Sequence, residues 1–406
     1  MSIYLCVLPF DVCTQGFRSY RSIVVADALA RRERDSSLIV AVSLYPGVDL
    51  SHHRDSPLSR LHPSYFSSIH EIVGFSVHSI HHILSKLGVR EDAYIYFLQD
   101  LGFFEKSLER YIAKLKETNP ELLGSLSPHP LFQSEADYEL KIPPIRDIES
   151  STKDVLDIVL TKLKRKIQNS KHIVSKYHKH IEDIDGFLLM LTKKIRRLLA
   201  IIQSLIEEKY CSCKIIYTAR EWIPELRLLH DISRESRLSN LVEFIEFGVV
   251  DFQRPMMPKS RVEITGFEFL GMYEVDAIRL FFLMKNQSKS VIYSKQSMRE
   301  TQNLLKMLRN LFIQISKTTH RNTSEDIEEL IREYIVAIDR KYKQYGFRHI
   351  FISTIKLLSE ISDLLKEGST ISPKSLERIL TAIEPMVPRV ILELRSTIKQ
   401  RESCKK

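Results

Sequence analysis

Histidine is the side chain that most often ligates metal or moves protons near neutral pH, and His70, His78, His81 and His82 crowd one stretch of this chain. The apolar spacing over His70–Leu87 predicts a helix, which sets His78 and His82 four residues apart on one face. Two imidazoles so placed could share a metal, but no Asp or Glu at a useful spacing supplies a third ligand. The stretch therefore reads as a solvated or stacking helix face, the pair His52-His53 is weaker still, and no metal site is expected. The common phosphate loops, G-x-x-x-x-G-K-[ST] and G-x-G-x-x-G, are absent, as is the G-x-S-x-G nucleophile elbow. Five cysteines (Cys6, Cys13, Cys211, Cys213, Cys404) form neither a disulfide framework nor a zinc ribbon, and read as thiols in a reducing compartment.

Charge offers a second kind of chemistry. Ser151–Tyr210 holds 13 Lys/Arg against 7 Asp/Glu, and the last 16 residues hold five against two. These two segments carry the whole formal charge of +9. Localised positive charge points to a polyanion, with RNA the first candidate, against the plainer reading of a solvated helix face. The cations that could contact phosphates are Lys162, Lys164, Arg165, Lys166, Lys193, Lys194, Arg196 and Arg197 in the first segment, and Lys399, Arg401, Lys405 and Lys406 in the second.

The elements that must position these residues are legible in the hydrophobic pattern. Ser2–Leu8 alternates and ends at Pro9, as a strand does. Gly16–Arg34 has helical spacing, and Leu38–Leu44 is the apolar run of a parallel strand buried on both faces. Together they predict a right-handed βαβ unit. Asn119–Ile148 is too rich in proline for a long helix. Across Ser151–Glu208 apolar residues step by three and four, from Leu156, Leu160, Leu163 and Ile167 to Leu191, Ile195, Leu198 and Ile202. That is the seam of a coiled coil or long helical hairpin, with Gly186 the best place for a turn, although the phase runs through Gly186 unbroken and leaves one long helix open. Strands are expected at Cys213–Thr218 and Phe247–Phe252, and a helix from about Pro224. From Glu274 the chain reads as helical, with Ser372-Pro373 opening one helix and Pro385 and Pro388 breaking it. With 406 residues, 44% hydrophobic and 27% charged, the chain is a multidomain globular protein rather than a disordered one. No stretch is apolar enough to span a membrane, no signal peptide is expected, and the expected location is the cytoplasm. The fold class is α/β plus all-α: an interrupted α/β unit, a basic coiled-coil arm and a helical C-terminal part.

The order of several short segments resembles class I aminoacyl-tRNA synthetases, most closely the archaeal and eukaryotic leucyl type. Pro9-Phe10-Asp11-Val12-Cys13-Thr14-Gln15-Gly16-Phe17-Arg18-Ser19 holds the spacing of the family's P-Y-P-x-G-x-x-H-x-G-H, and Asp27-Ala28-Leu29-Ala30-Arg31 is similar to its D-x-x-A-R. Lys86-Leu87-Gly88 with Asp92 is similar to K-L-G-x-x-x-D-W, with Ala93 in place of the tryptophan. Tyr217–Pro224 resembles V-S-G-K-D-L-I-P. Met256-Met257-Pro258-Lys259-Ser260 resembles K-M-S-K-S, retaining its second lysine and last serine. Tyr273–Leu280 resembles Y-G-A-D-A-x-R-L, and Ile383–Arg389 with Glu393-Leu394 resembles L-x-P-x-x-P-H-x-x-E-L.

The resemblance implies a Rossmann-like class I core over residues 1–150 and 210–275, split by the basic helical insert 151–209. A helical anticodon-binding-type domain would follow over 276–406. It also implies a departure from the family's chemistry. Gly16, Phe17, Arg18 and Ser19 stand where H-I-G-H stabilises ATP phosphates, and Cys13, Arg18 and Val262 replace signature glycines. The region that would hold the editing domain has only the proline-rich linker and the arm. Three readings follow. One is a synthetase paralogue defective in amino-acid activation that binds tRNA or another structured RNA. Another is a working minimal ligase, in which Lys259, Ser260 and Arg18 handle ATP with magnesium; no cofactor is expected otherwise. The third is a scaffold that docks a protein, or a second copy, through the arm.

Overall fold

The computed structural model describes residues 2–11, 19–33, 35–45, 80–98, 140–141, 150–169, 184–209, 212–218, 224–248, 250–252 and 266–404. The first element is β1 (Ser2–Asp11), followed by α1 (Tyr20–Arg32) and β2 (Ser37–Tyr45). Then come helical residues 80–86, β3 (Tyr94–Phe97), β4 (Leu140–Lys141), α2 (Ser150–Asn169) and α3 (Ile184–Lys209). After them, β5 (Ser212–Thr218), α4 (Pro224–Glu235) and β6 (Val242–Phe247) complete a six-stranded sheet of order β4-β3-β2-β1-β5-β6. Every neighbouring pair is parallel.

Side chains alternate across a strand, and both faces of this sheet are covered. Tyr4, Cys6 and Leu8 of β1 and Leu38, Val40 and Val42 of β2 join one apolar cluster with α1 and helical residues 80–86. Ile3, Leu5, Val7, Ile39 and Ala41 point the other way, into a second cluster with α2, α3 and α4. This explains why Leu38–Leu44 reads as continuously apolar: both of its faces are dry.

The second cluster corrects the coiled-coil expectation. Leu156, Leu191, Ile195, Leu198 and Ile202 pack with the back-face residues of β1, β2 and β5. Three-and-four spacing reports an apolar stripe on a helix but does not name what the stripe faces. Here the partner is the sheet, so α2 and α3 form one layer of the α/β unit together with α4. Gly186, the expected place for a turn, lies inside α3.

The single strand expected at Phe247–Phe252 is two. β6 ends at Phe247, and β7 (Val250–Phe252) pairs in parallel with a later strand to make a separate two-stranded sheet. Gly248 lets the chain change sheets. Its N–H donates to the Gln287 carbonyl at 2.6 Å, and a Cβ there would sit 2.3 Å from the Lys289 carbonyl oxygen.

The rest is helical: α5 (Gly266–Met272), α6 (Val275–Leu283), then the short strand β8 (Val291–Tyr293) that pairs with β7, and α7 (Lys295–Ser316). They are followed by α8 (Glu325–Lys343), α9 (Phe347–Lys366), α10 (Pro373–Ile383) and α11 (Pro388–Cys404). Ser294 and Ser297 cap α7 reciprocally, each side chain bonding the other's backbone N–H at 3.0 Å. Ser372 caps α10 with Pro373 in its first turn, and the chain breaks between Ile383 and Pro388 as the prolines predict. Leu305, Phe312, Ile331, Ile350, Leu358 and Ile379 of these helices belong to the same cluster as α1 and the front face of the sheet.

Candidate functional site

Strand order reverses at β1, with β2, β3 and β4 on one side and β5 and β6 on the other. In open parallel sheets, ligands bind outside the carboxyl ends of the strands at such a reversal. The carboxyl ends here are Asp11 of β1, Tyr45 of β2 and Thr218 of β5, and Ser19 is buried where α1 begins. Of the signature positions, Gly16, Phe17, Arg18, Lys259 and Ser260 lie outside the described residues.

Two described cations near this edge, Arg21 and Lys194, are already held. Arg21 is buried in the first turn of α1 and donates to four carbonyls: Gly248 at 2.6 Å, Lys289 at 2.8 Å, Lys285 at 3.2 Å and Asn286 at 3.0 Å. Burial lowers its pKa to about 10, so it remains charged at neutral pH. It fastens α1 to the turn after β6 and to the loop before β8. Lys194 of α3 is only 1% exposed and donates to Ser43 Oγ of β2 at 2.9 Å. Both side chains are thus engaged with protein acceptors.

The basic segment divides by exposure. Lys162, Arg165, Lys193 and Arg196 are exposed and Lys164 is half-buried. Lys162 pairs with Glu235 at 3.2 Å. Lys194 and Arg197 are buried, which removes both from an RNA-facing surface. The cause is the heptad phase: they lie beside Ile195 and Leu198, on the flank that meets the sheet. Lys166, Lys399 and Arg401 lie in helices, but their side chains fall outside the described residues, as do Lys405 and Lys406 entirely. His52, His53, His70 and His78 also lie outside them, while His81 is half-buried and His82 buried. Among the described residues no group of three or more His, Cys, Asp or Glu could hold a metal. Nor is any helix among them long and apolar enough to cross a membrane.

The most elaborate polar cluster lies deeper, between α1 and the C-terminal helices. Asp27 Oδ2 stands 2.8 Å from both Arg279 Nη1 and Arg31 Nε, and Oδ1 accepts the Arg90 N–H at 2.9 Å. Arg279 is fully buried and also donates to the carbonyls of Leu87 (3.0 Å), Gly88 (3.1 Å), Pro385 (2.6 Å) and Met386 (3.3 Å). Burial lowers the Arg279 pKa and the adjacent Asp27 charge raises it. Gly88 adopts a positive φ of 62°, and a Cβ there would lie 2.5 Å from Val275 Cγ1. One turn before Arg279, Asp276 accepts the N–H groups of Val390 at 2.6 Å and Arg389 at 3.4 Å, capping α11 from a different helix. Burial pushes the Asp276 carboxyl up to about 6, against the pull of those N–H groups and of Arg279.

Four segments quoted for the family resemblance therefore meet at one place: Asp27–Arg31, Lys86–Gly88, Tyr273–Leu280 and Ile383–Arg389. With both charges dry, this node positions helices rather than reacting with a ligand. Sequence reasoning did not single out Arg21 or Arg90, because an arginine bonded to carbonyls from several loops has no spacing signal of its own.

No family model matches the chain, and no curated protein matches it. Among solved structures it is similar to a chain assigned as an arginyl-tRNA synthetase from Campylobacter jejuni. The identity is 14%, the coverage 98% of this chain and 92% of that one, and the TM-score 0.47.

Proposed function

We propose that this chain is an aminoacyl-tRNA synthetase-like protein of the leucyl type that has lost amino-acid activation and binds tRNA or another structured RNA. One observation carries the reading. Four family-like segments, from residue 27 to residue 389, converge on the Asp27–Arg279 node, as parts of one inherited scaffold would. The segment leading into α1, by contrast, has no histidine at positions 16 and 19, and Arg21 is turned to carbonyls. Loss of activation with retention of the scaffold accounts for both. The RNA contacts assigned to the back layer are the exposed Lys162, Arg165, Lys193 and Arg196. The described seam residues Leu156, Leu191, Ile195, Leu198 and Ile202 pack with the sheet, which favours RNA contact over self-association through them.

ATP–pyrophosphate exchange, run with leucine and then the other amino acids, tests the first half. Exchange at the enzyme-free rate is expected, and exchange clearly above it would establish the working ligase instead. Binding of a tRNA transcript over a salt series tests the second half. Affinity should fall steeply with salt, and replacing Lys162, Arg165, Lys193 and Arg196 with Gln should weaken it and flatten the slope. Affinity that ignores salt would refute the RNA reading.

A further inference from the structure

The outward face of α8 carries charged and apolar residues in an order that complements itself when reversed. Glu329, Glu333, Val336, Arg340 and Lys343 follow one another at steps of four, three, four and three, so they share one stripe of the helix. All five are exposed, Val336 at 59%, and Ala337 beside it is exposed too. The opposite stripe, with Ile327, Ile331, Tyr334 and Ile338, is buried in the core. From its start to its end the outer stripe reads acid, acid, apolar, cation, cation. The ion pairs of α8 belong to other positions: Glu328 pairs with Arg378, and Asp339 with Arg32. None of the four charged residues of the stripe forms one among the described residues.

The isolated helix accounts for only part of this order. The macrodipole favours acids at a helix start and cations at its end, but only within the first and last turns. Glu329 and Glu333 lie beyond the first turn. They also stand four apart on one face, where like charges repel, as Arg340 and Lys343 do three apart. Arg332, exposed in the acidic half, lies within electrostatic reach of Glu328. What relieves both repulsions at once is a surface with the same charges in reverse order. A two-fold axis between Val336 and Ala337 supplies one. A second α8 laid antiparallel on the first sets Glu333 against Arg340 of the second copy and Glu329 against its last turn, where Lys343 lies. Val336 meets the other copy's Ala337, and the symmetry repeats every contact. An interface between identical chains must be self-complementary in this way, because one patch serves both sides.

We propose that this chain forms a two-fold dimer through α8, with the two helices antiparallel and their acidic and basic halves facing each other. The inference goes beyond the RNA-binding reading and does not depend on it. A second copy is favoured over an unrelated partner because an unrelated partner would not require the charge order to mirror itself about Val336 and Ala337. One helix face buries less surface than a permanent dimer does, so association is concentration-dependent and weakens with salt.

Sedimentation velocity over a concentration series, at low and high salt and after nuclease treatment, reads the association without RNA bridging the copies. The parent chain should dimerise at low salt and dissociate at high salt. R340E/K343E makes the stripe acidic throughout, and E329K/E333K makes it basic throughout. Each should melt near the temperature of the parent and raise the dimer dissociation constant at least about tenfold, because like charges then face each other. Mixed together, the two variants should form a one-to-one dimer. Val336→Glu alone, at an exposed position, should also leave the chain monomeric. A parent chain that stays monomeric at low salt throughout the series would overturn the proposal. So would a dimer that either double variant or Val336→Glu leaves unchanged, which would place the contact elsewhere, or a mixture that remains monomeric while the parent associates.

Discussion

Arg279 gives up all contact with water to reach Asp27 and four carbonyls. Desolvating such an ion costs several kcal/mol, and only a full set of acceptors offsets it. Asp27 is equally dry, with Arg31 and the Arg90 N–H as its further partners. Removing the guanidinium leaves Asp27 buried with part of its partner set and strands the Pro385 carbonyl. Arg279→Met should therefore lower unfolding free energy by about 3–5 kcal/mol in urea. Asp27→Asn combined with Arg279→Met should cost clearly less than the two single changes added together, since the pair acts as a unit. Strict additivity would mean that the two charges do not depend on each other. Asp27, Asp276 and Arg279 were legible as members of family-like segments. Their meeting was not, because 252 residues separate Asp27 from Arg279 and no periodicity spans that distance.

Among the elements, those with one apolar face and a strong local stop were legible. β2 announces itself as an apolar run, and α10 by the Ser372-Pro373 start. β4 has only two residues and sits in a proline-rich stretch, so no pattern could reveal it. β7 and β8 have three residues each. The seam of α2 and α3 was visible, but its partner was not, and that gap concealed the burial of Lys194 and Arg197. The reciprocal cap of α7 belongs to the same scale. Because Ser294 and Ser297 satisfy each other's backbone, Ser294→Ala should destabilise the protein by about 1 kcal/mol, read as a shift in urea midpoint. A change within error would show that water serves those N–H groups equally well.

The molecule as a whole responds to pH through groups pulled in opposite directions. Against the effect of burial, Glu33 is held below the usual carboxylate range by Ser2, Tyr4 and Lys214, and Glu328 by Arg378 and Ser375. Their stabilisation is complete above about 4.5 and is lost as pH falls. Asp276 works the other way. Its pKa in the fold is about 6, against about 4 in an unfolded chain. Between those values the folded protein binds a proton that the unfolded chain does not, so its contribution to stability grows as pH falls through 6. The unfolding free energy of the parent chain minus that of Asp276→Asn should therefore rise from pH 7 to pH 4. A flat difference would show that Asp276 stays ionised throughout. At this scale sequence windows misled about charge: the acids Glu325, Asp326, Glu328 and Glu329 at the start of α8 cancel its basic end in any sum. The helix then looks neutral although neither of its halves is.

The apolar cluster that runs without interruption from β1 and α1 into α7, α9 and α10 limits how this chain can be divided. Two modules joined by a linker can be recombined, duplicated or lost one at a time. Here α1 lies between the sheet and the bundle and is fastened to the bundle side by Asp27 and Arg279. Separating the halves would bare the inner surface of both. Neither half could therefore be lost alone: a chain shortened on either side would expose the apolar surface that the other side now covers.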